Sequence, residues 1–154
     1  IKIPTLNGYV HFGDGLIYVA ASLISLPYAI AAAAVGGALS DLLAGYAVYV
    51  PATAIIKGLM ALAVGLIMKN NRFVNRLRGR SEGRGNAWTP VLAAVAGGAV
   101  NVFGYFVAEC IMYGVAGAAA ALGSNAIQSA AGVIIYMVLL PVAAKALQYF
   151  NVDN

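Results

Sequence analysis

The 154-residue chain is 62% hydrophobic and only 9% charged, with a formal net charge of +4. A soluble domain carries about 25% charged residues, so these charges are too few to cover a water-facing surface, and a soluble protein is excluded. The apolar runs are continuous, whereas the strands of a membrane barrel alternate apolar and polar residues. We therefore predict an all-α integral membrane protein, with one membrane-embedded helical bundle over 1–154.

The predicted elements begin with a structured loop, 1–13, and a short apolar helix, 14–26. This helix is shorter than the ~20 residues that a ~30 Å hydrocarbon core requires, so it cannot span the bilayer alone. Turns are predicted at 44–51 and 121–125, and a flexible basic loop at 69–88. The remaining helices are predicted at 27–43, 52–68, 89 to about 114, and 126–149.

The basic residues are concentrated in the loop 69–88, which holds Lys69, Arg72, Arg76, Arg78, Arg80 and Arg84. By the positive-inside rule, this loop and the C-terminus are expected in the cytoplasm. No aromatic platform accompanies the basic residues, so nucleic-acid binding is not expected. The chain begins at Ile1 within a predicted loop. We expect a first transmembrane helix to be absent from this sequence, which would make the five helices part of a six-helix fold.

Polar side chains inside a membrane span cost about 2.5–3.5 kcal/mol each, so they are candidates for function. Asn101, Tyr105 and Glu109 recur every four residues on one helix face, and Asn125 and Gln128 share a face of the last helix. On the predicted topology, these groups fall in the outer half and indicate a polar pocket that is open to the outside. The candidate substrate-binding residues are His11, Tyr46, Tyr49, Lys57, Asn101, Tyr105, Glu109, Asn125 and Gln128.

Several of the polar residues also have purely structural interpretations. Asp41 and Lys57 could pair with each other across a helix hairpin. Asp14 could cap the first helix, and a lone histidine such as His11 is more often structural than a ligand contact. A glutamate in a packed bundle is expensive, however, and the amides near Glu109 favour a polar guest.

Catalytic motifs are scarce in this chain. A single His and a single Cys exclude most zinc sites and Cys–His pairs, and no H-E-x-x-H, G-x-S-x-G or P-loop motif occurs. We predict no enzyme activity, no metal site and no cofactor. Without a P-loop, active transport would need a partner or an ion gradient. The alternatives are a self-sufficient secondary transporter or channel, and an enzyme that acts on lipids.

Four segments resemble the S component of an energy-coupling factor (ECF) transporter, of the riboflavin-type and related group. In chain order they are YVHFGDGLIYVAA, SDLLAGYAVYVPATAIIKGLMALAVGLI, NVFGYFVAE and SNAIQSAAGVII. The resemblance covers nearly the whole chain. It implies a multi-pass protein of a bacterial or archaeal cell membrane that captures a vitamin, or a vitamin precursor, from outside.

The same resemblance implies partners, namely a transmembrane T component and two cytoplasmic ATPases, within the lipid bilayer. Ala32 and Gly36 form a small-xxx-small pair and are the candidate T-component interface. Tyrosines, amides and one acid would suit a flat heterocycle. Riboflavin and a thiamine-precursor pyrimidine both remain open as the cargo.

Overall fold

The computed structural model describes residues 2–5, 8–11, 13–69, 71–77 and 88–152, and the backbone alone for the two strands. Two short strands precede a helical bundle. Between the second and third helices lies a single 3₁₀ turn, Ala47–Tyr49. The elements are β1 (Lys2–Thr5), β2 (Gly8–His11), α1 (Gly13–Leu23), α2 (Leu26–Ala44), α3 (Val50–Met68), α4 (Arg72–Leu77) and α5 (Thr89–Val152).

Two expectations for the loops are wrong. The segment predicted as a loop at 1–13 contains an antiparallel pair of strands, in which Lys2 lies opposite His11 and Thr5 opposite Gly8. The segment 69–88, predicted as a flexible loop, contains the short helix α4, and residues 78–87 lie outside the described chain. The high density of basic residues led to the prediction of a loop where a short helix, Arg72–Leu77, is present.

Residues with known preferences for helix ends mark both ends of α2. Pro27 stands in its first turn, where the absent N–H has no helical partner to lose. At the other end Gly45 adopts a left-handed conformation with φ of 82°. The N–H of Tyr46 then donates to the carbonyl of Asp41 at 2.9 Å, and that of Gly45 to Leu42 at 3.2 Å. These two bonds form a Schellman motif, which turns the chain towards α3.

The last two predicted helices form one element, α5, and the predicted break at 121–125 is wrong. The chain instead breaks at Gly114, where φ is 76° and ψ is 171°. The hydrogen bonds from Asn101 to Ser129 and from Asn125 to Glu109 show that the two limbs, 89–113 and 115–152, run antiparallel. The bundle in the described chain therefore consists of four helices, α1, α2, α3 and α5, the last folded back on itself.

The distribution of polar and apolar residues confirms an all-α membrane bundle. Large apolar side chains cover the outside, and Leu43 and Ile111 are 83% and 81% exposed. Charged and amide side chains such as Asp14, Lys57 and Asn101 lie inside, which reverses the arrangement of a soluble protein. Among the described residues, three helices are long and apolar enough to cross a membrane, within α2, Ala47–Met68 and α5. The helix α1, with 11 residues, is too short.

A candidate substrate-binding site at one end of the bundle

The antiparallel succession of helices brings the polar residues of the sequence to one end of the bundle. That end is formed by the start of α1, the end of α2, the start of α3 and the turn of α5. Ionisable and amide side chains of α1, α3 and both α5 limbs touch one another there. We call this region the polar end. Its side chains are Asp14, Tyr46, Tyr49, Thr53, Lys57, Asn101, Tyr105, Glu109, Tyr113, Asn125, Gln128 and Ser129.

A buried ion pair lies at the centre of the polar end. The Nζ of Lys57 is 2.6 Å from Oδ1 of Asp14, and both side chains are 0% exposed. The sequence offered Asp41 as a partner for Lys57, but Asp14 supplies the counter-ion. The helix-cap interpretation of Asp14 is also wrong, because its carboxylate points into the bundle. Each member compensates the other, since an isolated charge in this apolar interior would be very costly.

Amide side chains complete this ion pair. The Oδ1 of Asn101 accepts from Nζ of Lys57 at 2.8 Å, and its Nδ2 donates to Oγ of Ser129 at 3.0 Å. The Nε2 of Gln128 donates to Oδ2 of Asp14 at 2.9 Å. The network thus connects α1, α3 and both limbs of α5. Satisfied polar networks of this kind rigidify a core, so the five residues hold the helices in register.

Glu109 and Asn125 form a second, separate contact across the α5 turn. The Nδ2 of Asn125 lies 3.2 Å and 3.4 Å from the two carboxylate oxygens of Glu109. Glu109 is buried, whereas Asn125 is partly accessible. The predicted stripe on the fourth helix does face the last helix, and it makes contact there twice, through Asn101 with Ser129 and through Glu109 with Asn125. Together Glu109 and Asn125 present carboxylate acceptors beside an amide that can donate and accept.

Four tyrosines form a cluster at the polar end, with Tyr49 in contact with the other three. The ring centre of Tyr49 is 6.4 Å from Tyr105, 6.1 Å from Tyr113 and 6.3 Å from Tyr46. The hydroxyl of Tyr105 is 2.9 Å from Oγ1 of Thr53. Lys57 places its Nζ 5.3 Å from the Tyr105 ring centre, which joins the tyrosines to the ion pair. These rings could stack on a flat aromatic guest.

The structure locates the other predicted residues less completely. His11 ends β2, which packs against α5, but its side chain is outside the described part of the chain. Ala32 and Gly36 lie on the exposed face of α2, and no side chain approaches within 4 Å of a Cβ built on Gly36. Within the described residues, no group of three or more His, Cys, Asp or Glu side chains could hold a metal ion.

The predicted set of binding residues omitted four residues of the polar end: Asp14, which forms the ion pair, Thr53, Tyr113 and Ser129. Some of these were available from spacing. Tyr113 continues the stripe of Tyr105 and Glu109 by one more turn, and Ser129 follows Asn125 by four residues. The choice between Asp14 and Asp41 had no local signal, because it depends on how α1 packs against α3.

Comparison with known proteins gives one family and one curated relative. The family model for the S component of ECF-type riboflavin transporters matches residues 1–147. An uncharacterized protein in the gap 3′ region of Pyrococcus woesei is 33% identical over 135 residues, which cover 88% of this chain and 82% of the relative. No solved structure matches the chain. The match covers the whole of the polar end.

Proposed function

The chain belongs to the family of ECF-type riboflavin transporter S components, and from this premise we propose that it captures riboflavin at the polar end of its bundle. Riboflavin combines a flat aromatic ring system with a polar edge and a hydroxylated chain. The tyrosines around Tyr49 and the Glu109–Asn125 contact match those two properties. The observation that carries the proposal is this pairing of aromatic rings with a carboxylate and an amide at one end of an otherwise apolar bundle.

The predicted substrate-binding residues fall into two groups with different roles. Lys57, Asn101 and Gln128 are bound to Asp14, to Ser129 or to each other, so their hydrogen-bonding capacity is largely used within the protein. We assign them to positioning. Tyr46 and Asn125 are more accessible, and they lead to Tyr49, Tyr105 and Glu109. We assign this second group, together with His11, to contact with the cargo.

A T component and two cytoplasmic ATPases would supply the energy, because the sequence carries no nucleotide-binding motif of its own. The loop 69–88 and the C-terminus would then face the cytoplasm, and the polar end would face outside. The exposed small residues Ala32 and Gly36 would let a helix of the T component approach α2 closely. A secondary transporter is the competing function, and it would need no ATPase.

Ligand binding by the purified chain tests the proposal. Flavin fluorescence is recorded during titration in detergent, and any molecule that co-purifies is identified by mass spectrometry. We expect riboflavin to bind and its fluorescence to fall on stacking with tyrosine. The double variant Glu109→Ala/Asn125→Ala should bind at least about tenfold more weakly, since it loses about 1.4 kcal/mol or more.

The matched control is Ser22→Ala, which removes a buried hydroxyl at the opposite end of the bundle. It should bind like the parent. Failure of the parent to bind riboflavin would overturn the proposed cargo, and binding of a pyrimidine precursor instead would replace it. Uptake by cells that lack the T component and ATPases would favour the secondary transporter, whereas uptake only on their co-expression supports the S-component role.

A further inference from the structure

Glu109 occupies the middle of the aromatic part of the polar end. Tyr105 precedes it by one helical turn and Tyr113 follows by one turn, so the three side chains share one face. The ring of Tyr49 lies against both tyrosines, at 6.4 Å and 6.1 Å between ring centres. Glu109 therefore lies where a stacked cargo would be held. Its side chain is 5% exposed, so water screens its charge only slightly.

The charge of Glu109 has no positive partner within the described side chains. Its hydrogen-bond donor is Asn125, a neutral amide. Lys57 is held by Asp14 at 2.6 Å, and these two charges cancel. Lys69 lies about 18 Å further along α3, and Lys145 about 30 Å along the second α5 limb from Asn125, at ~1.5 Å per residue. Among the described side chains, the cargo therefore meets a carboxylate that has no positive charge close to it.

We propose that Glu109 is a specificity-determining residue, which makes the site select an uncharged flavin over the same flavin carrying a phosphate group. This inference rests on the proposed function. A neutral isoalloxazine ring stacks on the tyrosines without opposing the carboxylate. A phosphate dianion brought into the same weakly screened region is repelled, and no described cation outside the Lys57–Asp14 pair lies close enough to compensate it. The site thus uses repulsion, as well as contact, to choose its cargo.

The test compares three ligands by flavin fluorescence at pH 8, where phosphate is a dianion and an ordinary imidazole is neutral. Riboflavin is the reference, riboflavin 5′-phosphate carries the charge, and riboflavin 5′-acetate adds bulk without charge. For the parent, we expect the phosphate to bind at least about tenfold more weakly than the acetate. Riboflavin and the acetate should differ by much less.

The variant Glu109→Gln removes the charge and keeps an oxygen that can accept from Asn125. In this variant the ratio of the affinity for the acetate to the affinity for the phosphate should fall by about tenfold, mainly because the phosphate binds more tightly. Ser22→Ala, at the opposite end, should keep the parent's preference. Because Gln is nearly isosteric with Glu, the fold should survive, and the comparison of phosphate with acetate in the parent tests the charge effect without any variant.

Three results would overturn the inference. The first is equal binding of phosphate and acetate by the parent, and the second is equal rejection of both, which would mean that size decides. The third is an unchanged preference in Glu109→Gln, which would assign the repulsion to another group. Failure of riboflavin itself to bind is different, because it removes the proposed function. The two failures are therefore distinguishable.

Discussion

The two ends of the bundle are stabilised by different forces. At the polar end, a buried ion pair and three amide or hydroxyl side chains connect α1, α3 and both limbs of α5. The opposite end is mainly apolar and closely packed. Its buried apolar side chains include Met60, Ala61, Val64, Met68, Ala93, Ala94, Leu140 and Ala144. A cavity of about 200 Å³ also lies there, bordered by Ser22, Gly65 and Lys69 among others.

This difference indicates that the opposite end has a structural role and that the polar end is the candidate binding site. Apolar packing accounts for most of the opposite end, where the buried polar groups are the hydroxyl pair of Ser22 and Tyr136 and the amides of Asn71 and Asn75, among the described residues. The polar end contains more than its own stability requires. The ion pair and its amides satisfy one another, but the Glu109–Asn125 contact adds a carboxylate that no described cation neutralises. Such a costly group is expected where a cargo binds.

The largest effect should come from dividing the ion pair. Lys57→Met leaves the carboxylate of Asp14 buried with only the amide of Gln128 as a described donor. We expect a loss of about 3–5 kcal/mol in the free energy of unfolding, because an uncompensated charge remains in an apolar interior. Unfolding in mixed detergent micelles, followed by circular dichroism, measures it.

A double variant controls for the loss of packing around Lys57. Asp14→Asn/Lys57→Met removes both charges, so it should be more stable than Lys57→Met alone, and the double-mutant cycle isolates the ionic coupling. If Lys57→Met proved as stable as the parent, the ion pair would not hold the polar end together. The contrast between the two ends would then be one of composition only.

Packing is the second way to test the contrast. A Cβ on Gly97 would lie 2.6 Å from the Tyr18 ring and 2.9 Å from Val64. Gly97→Ala should therefore cost about 1–3 kcal/mol by overpacking, despite the better helix propensity of alanine. The control is Gly36→Ala on the exposed face of α2, where nothing lies within 4 Å. It should be neutral or slightly stabilising, and equal effects of the two would contradict the close packing.

The helices and the membrane class were predictable because they depend on local composition. The predicted spans 27–43 and 52–68 correspond to α2 and α3 within two residues at each end. The break in α5 was misplaced because Gly123 and the polar residues after it look like a turn. In the structure these residues are helical, and the hydroxyl of Ser124 donates to the carbonyl of Ala121 at 2.8 Å. The predicted end of the fourth helix at about 114 agrees with the left-handed φ of Gly114, but the next turn was placed at 121–125 instead of at that glycine.

The candidate site was predictable only where spacing along one helix was informative. The stripe of Asn101, Tyr105 and Glu109 follows from a period of about four residues. The partner of Lys57 did not follow, since Asp14 and Asp41 are both acids at the same predicted end. Their distinction depends on long-range packing of α1, and glycines such as Gly15 and Gly132 allow that close approach. No local pattern records it.

The smallest effect on stability is expected from removing one hydroxyl at either end, because each end contains a similar pair of hydrogen-bonded hydroxyl groups. Tyr105 bonds Thr53 at 2.9 Å at the polar end, and Tyr136 bonds Ser22 at 2.8 Å at the opposite end. Replacing either tyrosine by phenylalanine should cost about 0.5–1.5 kcal/mol of unfolding free energy. Ser22 also donates to the Tyr18 carbonyl at 2.8 Å, so the Ser22 hydroxyl keeps a partner in Tyr136→Phe. We therefore expect the cost of Tyr136→Phe to lie at the lower end of this range.

Riboflavin affinity should separate the two variants even though their stabilities are similar. Tyr105→Phe frees a ring that contacts Tyr49, so we expect binding to weaken roughly threefold to tenfold. Tyr136→Phe lies away from the proposed site, so its affinity should equal that of the parent. If both variants lost affinity in proportion to stability, binding would depend on the whole bundle. If only Tyr105→Phe lost affinity for riboflavin, the polar end would bind the cargo and the opposite end would have a structural role.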